Sequence, residues 1–159
     1  MSDAIGMRAA QIARRWIGTP YRHQASRLGA GTDCLGLIRG VWRALYGAEP
    51  SAVPPYTRDW SEAALQERLW QAAQRHLVSK ALADAAVGDV VLFRMKSAAV
   101  AKHLGICGAV GDAPTVIHAY GGHAVLESPL SRPWQRRIVA RFAFPDKLLP
   151  TEEAALWQH

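Results

Sequence analysis

Three residues of this 159-residue chain carry side chains that could do chemistry together: Cys34, His103 and His118. Cys34 stands in the run TDCLGL, where a helix grows out of a glycine-rich loop. A cysteine in the first turn of a helix has its thiolate stabilised by unpaired backbone N–H groups and the positive end of the helix dipole, and a nearby imidazolium lowers its pKa further. Such a sulfur is an activated nucleophile. One histidine can take the thiol proton and later give it to a leaving amine, while a second holds the first in the correct tautomer.

The histidines reach each other only if their strands pair. In AKHLGICGAV and TVIHAYG, joined through GDAP, a symmetric turn centred between Val110 and Gly111 sets His103 directly opposite His118 on one face of the sheet. Directly opposed Cβ atoms lie about 5 Å apart, close enough for two imidazoles to hydrogen-bond, and a slip of one residue would part them onto opposite faces. Other readings of the same residues stand beside this one. A cysteine at a helix start is ordinarily a small buried hydrophobe, and a strand histidine an ordinary polar side chain. Cys34, His103, Cys107 and His118 could form a zinc site, although no close CxxC or HExxH pair supports it. A Cys34–Cys107 bridge is the one disulfide available, and Cys107 reads as a packed strand residue.

The elements that must position these residues follow from periodicity. Ile5, Ala9, Ile12, Ala13 and Trp16 recur at helical spacing, with Ser2 or Asp3 as a cap and Gly18 as a stop. The loop GTPYRHQASRLGAGTD is too broken for regular structure. Thr32 or Asp33 then caps a second helix carrying Leu37, Ile38, Val41, Trp42 and Leu45, which Gly47 ends. Beyond the proline-rich EPSAVPPYTRDW, residues Leu65, Leu69, Trp70, Ala73 and Leu77 predict a third helix capped by Asp59 or Ser61. From Gly88 the period becomes two, and five segments read as strands: GDVVLFRM, AKHLGICGAV, TVIHAYG, HAVLESPL and RIVARFAFP. Helices first and strands second predict an α+β domain with an antiparallel sheet of about five strands. One domain over residues 1–145, a helical insertion over about 50–86 and a peripheral tail at 146–159 complete the expected organisation.

Half the residues are hydrophobic and a fifth charged, the balance of a water-soluble globular domain. No apolar run approaches the roughly 20 residues that span a bilayer, and Asp3, Arg8, Arg14 and Arg15 interrupt any secretory leader. The net charge of +6 favours polyanionic surroundings, but the basic residues are scattered apart from RPWQRRIVAR, and no nucleic-acid-binding signature occurs.

In order along the chain, GTPYR, TDCLGL opening a helix, GDVVLF, KHLGI and VIHAYGG resemble the NlpC family of papain-like cell-wall cysteine peptidases, from about Trp16 to Pro145. EPSAVPPYTRDW and RRIVARFAFP resemble the branch found in phage tails and gene-transfer particles. The resemblance implies a papain-like fold with the cysteine helix packed against the sheet. It implies Cys34 as nucleophile, His103 as general base and His118 as the polar residue orienting it. Tyr21 matches a tyrosine lining the substrate cleft, and Asp33 the acidic neighbour of the cysteine, which puts both at the substrate. The implied activity is a thioester mechanism without metal or organic cofactor. It would cut peptidoglycan stem peptides, typically at the γ-D-glutamyl to diaminopimelate bond. Implied partners are the stem peptides and phage or gene-transfer-particle tail proteins. The expected location is the cytoplasm at synthesis, without a signal peptide, and then a particle tail acting on the periplasmic wall. An amidase or acyltransferase with the same triad, and a structural tail protein with an unused cleft, are the rival functions. The chain departs from the family where Leu35 replaces a common serine and where His23 and Gln24 replace a common glycine pair; His76 and His123 have no expected catalytic part.

Overall fold

The computed structural model describes residues 2–50, 68–95 and 103–146. Helix α1, Ser2–Arg15, buries Ala9, Ala10, Ile12 and Ala13, and the chain turns away at Gly18, whose φ of 90° suits glycine. Helix α2, Cys34–Tyr46, is capped by the Asp33 side chain, which accepts from Gly36 N, and is closed by Gly47, whose N–H donates to the Arg43 carbonyl. The two helices meet at Gly40, where an added Cβ would lie 2.1 Å from the Trp16 indole. Any larger residue there would drive them apart.

The loop between them is more ordered than its composition suggests. Ser26–Arg27 (β1) and Gly31–Thr32 (β2) form an antiparallel ribbon, and Tyr21 bridges to Thr32. This corrects the expectation of a loop without regular structure; the three-residue connection and two-residue strands leave too little alternation to register as periodicity. The third helix, α3, runs Arg68–His76; Asp59, Ser61 and Leu65 lie outside the described residues.

The main sheet has six antiparallel strands: Val78–Lys80 (β3), Val90–Phe93 (β4), His103–Ala109 (β5), Thr115–His118 (β6), Leu126–Pro129 (β7) and Ile138–Ala143 (β8), in the order β3-β8-β4-β5-β6-β7. A four-residue helix α4, Arg132–Gln135, precedes β8. Five of the strands fall within the expected segments, and β3, inside the expected helical insertion, is the addition. On the helix side of the sheet Leu37, Val41 and Trp42 of α2 pack with Leu92, Leu104, Ile106, Ile117 and Phe142. Burying each aliphatic side chain contributes about 1.5–3 kcal/mol, which fixes α2, and hence its first residue, against the sheet. A second cluster, Val91, Phe93, Val116 and Leu130, gathers Trp134 and Ile138. Asp89, buried, ties the strand edges by accepting from Lys80 Nζ at 3.0 Å and Arg141 Nη1 at 3.0 Å.

The β5–β6 register differs from the symmetric hairpin. Ile106 pairs with Ile117, Cys107 with Val116 and Ala109 with Thr115, so Gly108 is an extra residue on β5. Direct opposition of His103 and His118 would have put Pro114, which has no N–H, inside the ladder opposite Cys107. The observed register moves His118 beside Gly105, where an added Cβ would meet His118 Cβ at 3.3 Å. Because the displacement is two residues, both histidines keep one face and become diagonal neighbours.

Candidate active site

Cys34 is the first residue of α2, partly buried, and Asp33 beneath it has both carboxylate oxygens engaged. Oδ1 accepts from Gly36 N at 2.7 Å, and Oδ2 accepts from Gln24 N at 2.7 Å. Asp33 therefore joins the cysteine helix to the turn that follows Tyr21. That turn needs a left-handed residue, and Gln24 supplies it at φ 65°, a conformation glycine adopts without penalty. The His23 ring lies 3.9 Å from Asp33 Oδ2. Gly36 is required by packing, since an added Cβ would lie 2.0 Å from the Ala25 carbonyl oxygen.

Backbone N–H groups of Leu104 and Leu35 hydrogen-bond the Cys34 sulfur, and the N–H of Cys34 itself also favours its thiolate. Leu104 follows His103 on β5, so the thiol meets the sheet beside His103. His103 Nε2 lies 2.9 Å from His118 Nδ1, and His118 Nε2 lies 3.1 Å from Ser128 Oγ. Both imidazoles are almost wholly buried.

Phe93, Tyr120 and Trp134 enclose them. Trp134 meets His118 edge-on with centroids 5.3 Å apart, Tyr120 lies 5.2 Å from His103, and Phe93 5.4 Å from His103. Arg137 stacks over the outer ring of Trp134 at 5.8 Å.

Burial decides the resting protonation of all three groups. Burial pushes the Cys34 thiol up to about 12, with the Asp33 charge adding to the effect and the three backbone N–H groups opposing it. Burial holds His103 down to about 3, reinforced by repulsion from His118, and holds His118 down to about 4. Thiol and imidazoles are all neutral near pH 7. The expectation of a depressed thiol pKa is thus corrected: the imidazolium that would depress it is itself suppressed by the apolar walls, and the helix N–H groups do not outweigh desolvation.

The structure thus brings His103 and His118 together and sets Cys34 beside β5. Tyr21 is partly buried against the main core and paired with Thr32, two residues before Cys34. Cys107 is buried in β5 with its thiol donating to the Ala109 carbonyl at 3.4 Å. Phe93, Tyr120, Ser128 and Trp134 were not among the residues that spacing and motif marked as candidates. Tyr120 had a signal, two residues after His118 and therefore on the same face of an extended strand; Trp134 was visible only as part of a basic cluster, and Ser128 carried none.

The NlpC/P60 family profile matches residues 18–142. Among solved structures, a Staphylococcus aureus Mu50 protein described as similar to lipoprotein, NLP/P60 family, superposes with a TM-score of 0.60 at 19% identity, covering 92% of this chain and 43% of that one. An NlpC/P60 family protein from Bacillus cereus ATCC 10987 gives 0.57 at 16%, covering 86% and 39%. NlpC1 from Trichomonas vaginalis gives 0.52 at 22%, covering 87% and 43%. At these identities the likeness is one of fold, and the chain spans less than half the length of each of these structures. No curated protein matches the chain.

Proposed function

The chain belongs to the NlpC/P60 family, whose members are generally cell-wall peptidases, and we propose that it is a cysteine peptidase cutting an amide bond in peptidoglycan stem peptides, the γ-D-glutamyl to diaminopimelate link. The observation that carries this reading is the imidazole pair, His103 Nε2 to His118 Nδ1 at 2.9 Å, on the strand whose next residue hydrogen-bonds the Cys34 sulfur. With Nε2 committed to His118, Nδ1 of His103 is the nitrogen left to take a proton.

The reaction starts from neutral groups. As the scissile carbonyl approaches, the Cys34 thiol gives its proton to His103 and the sulfur attacks carbon, while the Cys34 backbone N–H supports the developing oxyanion. The tetrahedral intermediate collapses to a thioester as the His103 imidazolium protonates the departing amine. Water then gives a proton to neutral His103 and adds to the thioester, and that proton returns to the sulfur as the acid leaves. His118 accepts from His103 throughout and keeps its ring in line. Tyr21 lines the cleft at the stem peptide, and Asp33 holds the turn that carries it. Apart from the substrate and the hydrolytic water, each step uses protein groups.

Delivery by a phage or gene-transfer-particle tail is supported by EPSAVPPYTRDW and RRIVARFAFP; most of the first lies outside the described residues, and most of the second forms β8. Mass spectrometry of muropeptides after digestion of purified sacculi tests the reading. A new free amine on the diamino acid and no new reducing sugar is the expected product pattern. Release of the sugar-linked lactyl amide bond instead would make the protein an amidase, and intact muropeptides would favour a wall-binding role.

A further inference from the structure

Ser128 stands in the same relation to His118 as His118 does to His103. Val116 pairs with Ser128 across β6 and β7, and His118 is two residues from Val116 on the same face. The hydrogen bonds therefore step diagonally across three strands, from His103 to His118 at 2.9 Å and from His118 to Ser128 at 3.1 Å.

The chemistry of the first step sets the direction of the others. To receive the thiol proton on Nδ1, His103 must carry its own proton on Nε2 and donate it to His118 Nδ1. His118 is then protonated on Nε2, and Ser128 Oγ is its acceptor. In the opposite tautomer, His118 would donate from Nδ1, His103 would accept on Nε2 and hold its proton on Nδ1, and the thiol would have no base. Among the described residues, Ser128 Oγ is the group within hydrogen-bond reach of the outer His118 nitrogen. Without it, a buried N–H would be left unsatisfied, and the ring would be free to exchange tautomers.

We infer that Ser128 is a positioning residue of the catalytic relay, holding His118 in the Nε2–H tautomer and thereby keeping His103 oriented as a base toward Cys34. The inference rests on the peptidase reading, but part of its test needs no turnover.

Histidine-labelled full-length protein, observed by long-range nitrogen–proton correlation at pH 7, should show both His103 and His118 protonated on Nε2. Ser128→Ala should lose the single His118 tautomer and lower kcat about fivefold with KM unchanged, the effect of one ordinary hydrogen bond. Ser128→Thr, which restores the hydroxyl, should recover both. In a His118→Asn background, Ser128→Ala should have no further effect on kcat. A wild-type His118 protonated on Nδ1, or an unchanged kcat in Ser128→Ala, overturns the inference. So does an equal loss in both backgrounds. If Ser128→Ala does not fold, the wild-type tautomer and the Ser128→Thr kinetics still decide it. A protein that shows the expected tautomers yet cleaves no stem peptide would refute the peptidase reading and leave the tautomer assignment in place.

Discussion

Replacing Asp33 by asparagine separates what this carboxylate does for the fold from what it does to the nucleophile. The Oδ1 bond to Gly36 N survives, because asparagine can still cap a helix. The Oδ2 bond to Gln24 N does not, because the amide nitrogen would face another N–H donor. The residue is only 3% exposed, so water does not replace the lost acceptor. A hydrogen bond to a charged group contributes about 1.5–3 kcal/mol, so a loss near 2 kcal/mol is expected. For a chain of this size that lowers Tm by about 4–8 °C. Asp33→Ala also removes the cap, which adds about 1 kcal/mol. At the same time the negative charge that helps raise the thiol is gone, so Cys34 should react faster with iodoacetamide at neutral pH although the fold is weaker. Thermal melts and labelling rates measured on the same preparation read both effects. A variant that melts with wild type and labels at the wild-type rate would refute this account and leave Asp33 as a substrate contact alone.

Wild-type labelling has its own pH dependence: with the thiol pushed up to about 12, Cys34 should alkylate slowly at pH 7 and accelerate into the alkaline range, and rapid labelling below pH 7 would contradict it. Stability should fall in acid. The folded protein holds His103 and His118 well below their ordinary 6.5, so the unfolded chain binds protons first. The contribution is complete above about pH 6.5 and is lost as pH drops toward the folded values, so denaturant melts from pH 7 to 4 should show a slope that His118→Asn reduces. Asp89→Ala should destabilise by about 3 kcal/mol or more by stranding the buried Arg141 guanidinium, read as a lower urea midpoint; a wild-type midpoint would show that the pair is dispensable.

What the sequence disclosed was what short-range rules control. The Asp33 cap and Gly47 stop of α2, the apolar faces of α1 and α2 and the positions of β4 to β8 all follow from spacing and turn residues. The β5–β6 register was off by two because the turn is not centred between Val110 and Gly111: Ala109 pairs with Thr115, three positions from the symmetric pairing, and the extra residue Gly108 takes one of the three back. The histidines nonetheless met, since an even displacement keeps side chains on their face. β3 was missed because three residues are too few to show a period. The thiol's protonation was read in the wrong direction because its own burial against the main core, and the enclosure of the imidazoles by Phe93, Tyr120 and Trp134, are assembled from distant parts of the chain. Ser128 was invisible for the same reason: a serine gains meaning only when a sheet sets it opposite Val116.

The central claim is that the Cys34 sulfur is the attacking atom and His103 its base. Release of peptide fragments from purified sacculi by wild type, Cys34→Ala and His103→Ala, each shown by circular dichroism to be folded, tests it most directly. The account predicts fragments from wild type and none above background from either variant; fragments released by Cys34→Ala at a rate near wild type would contradict it.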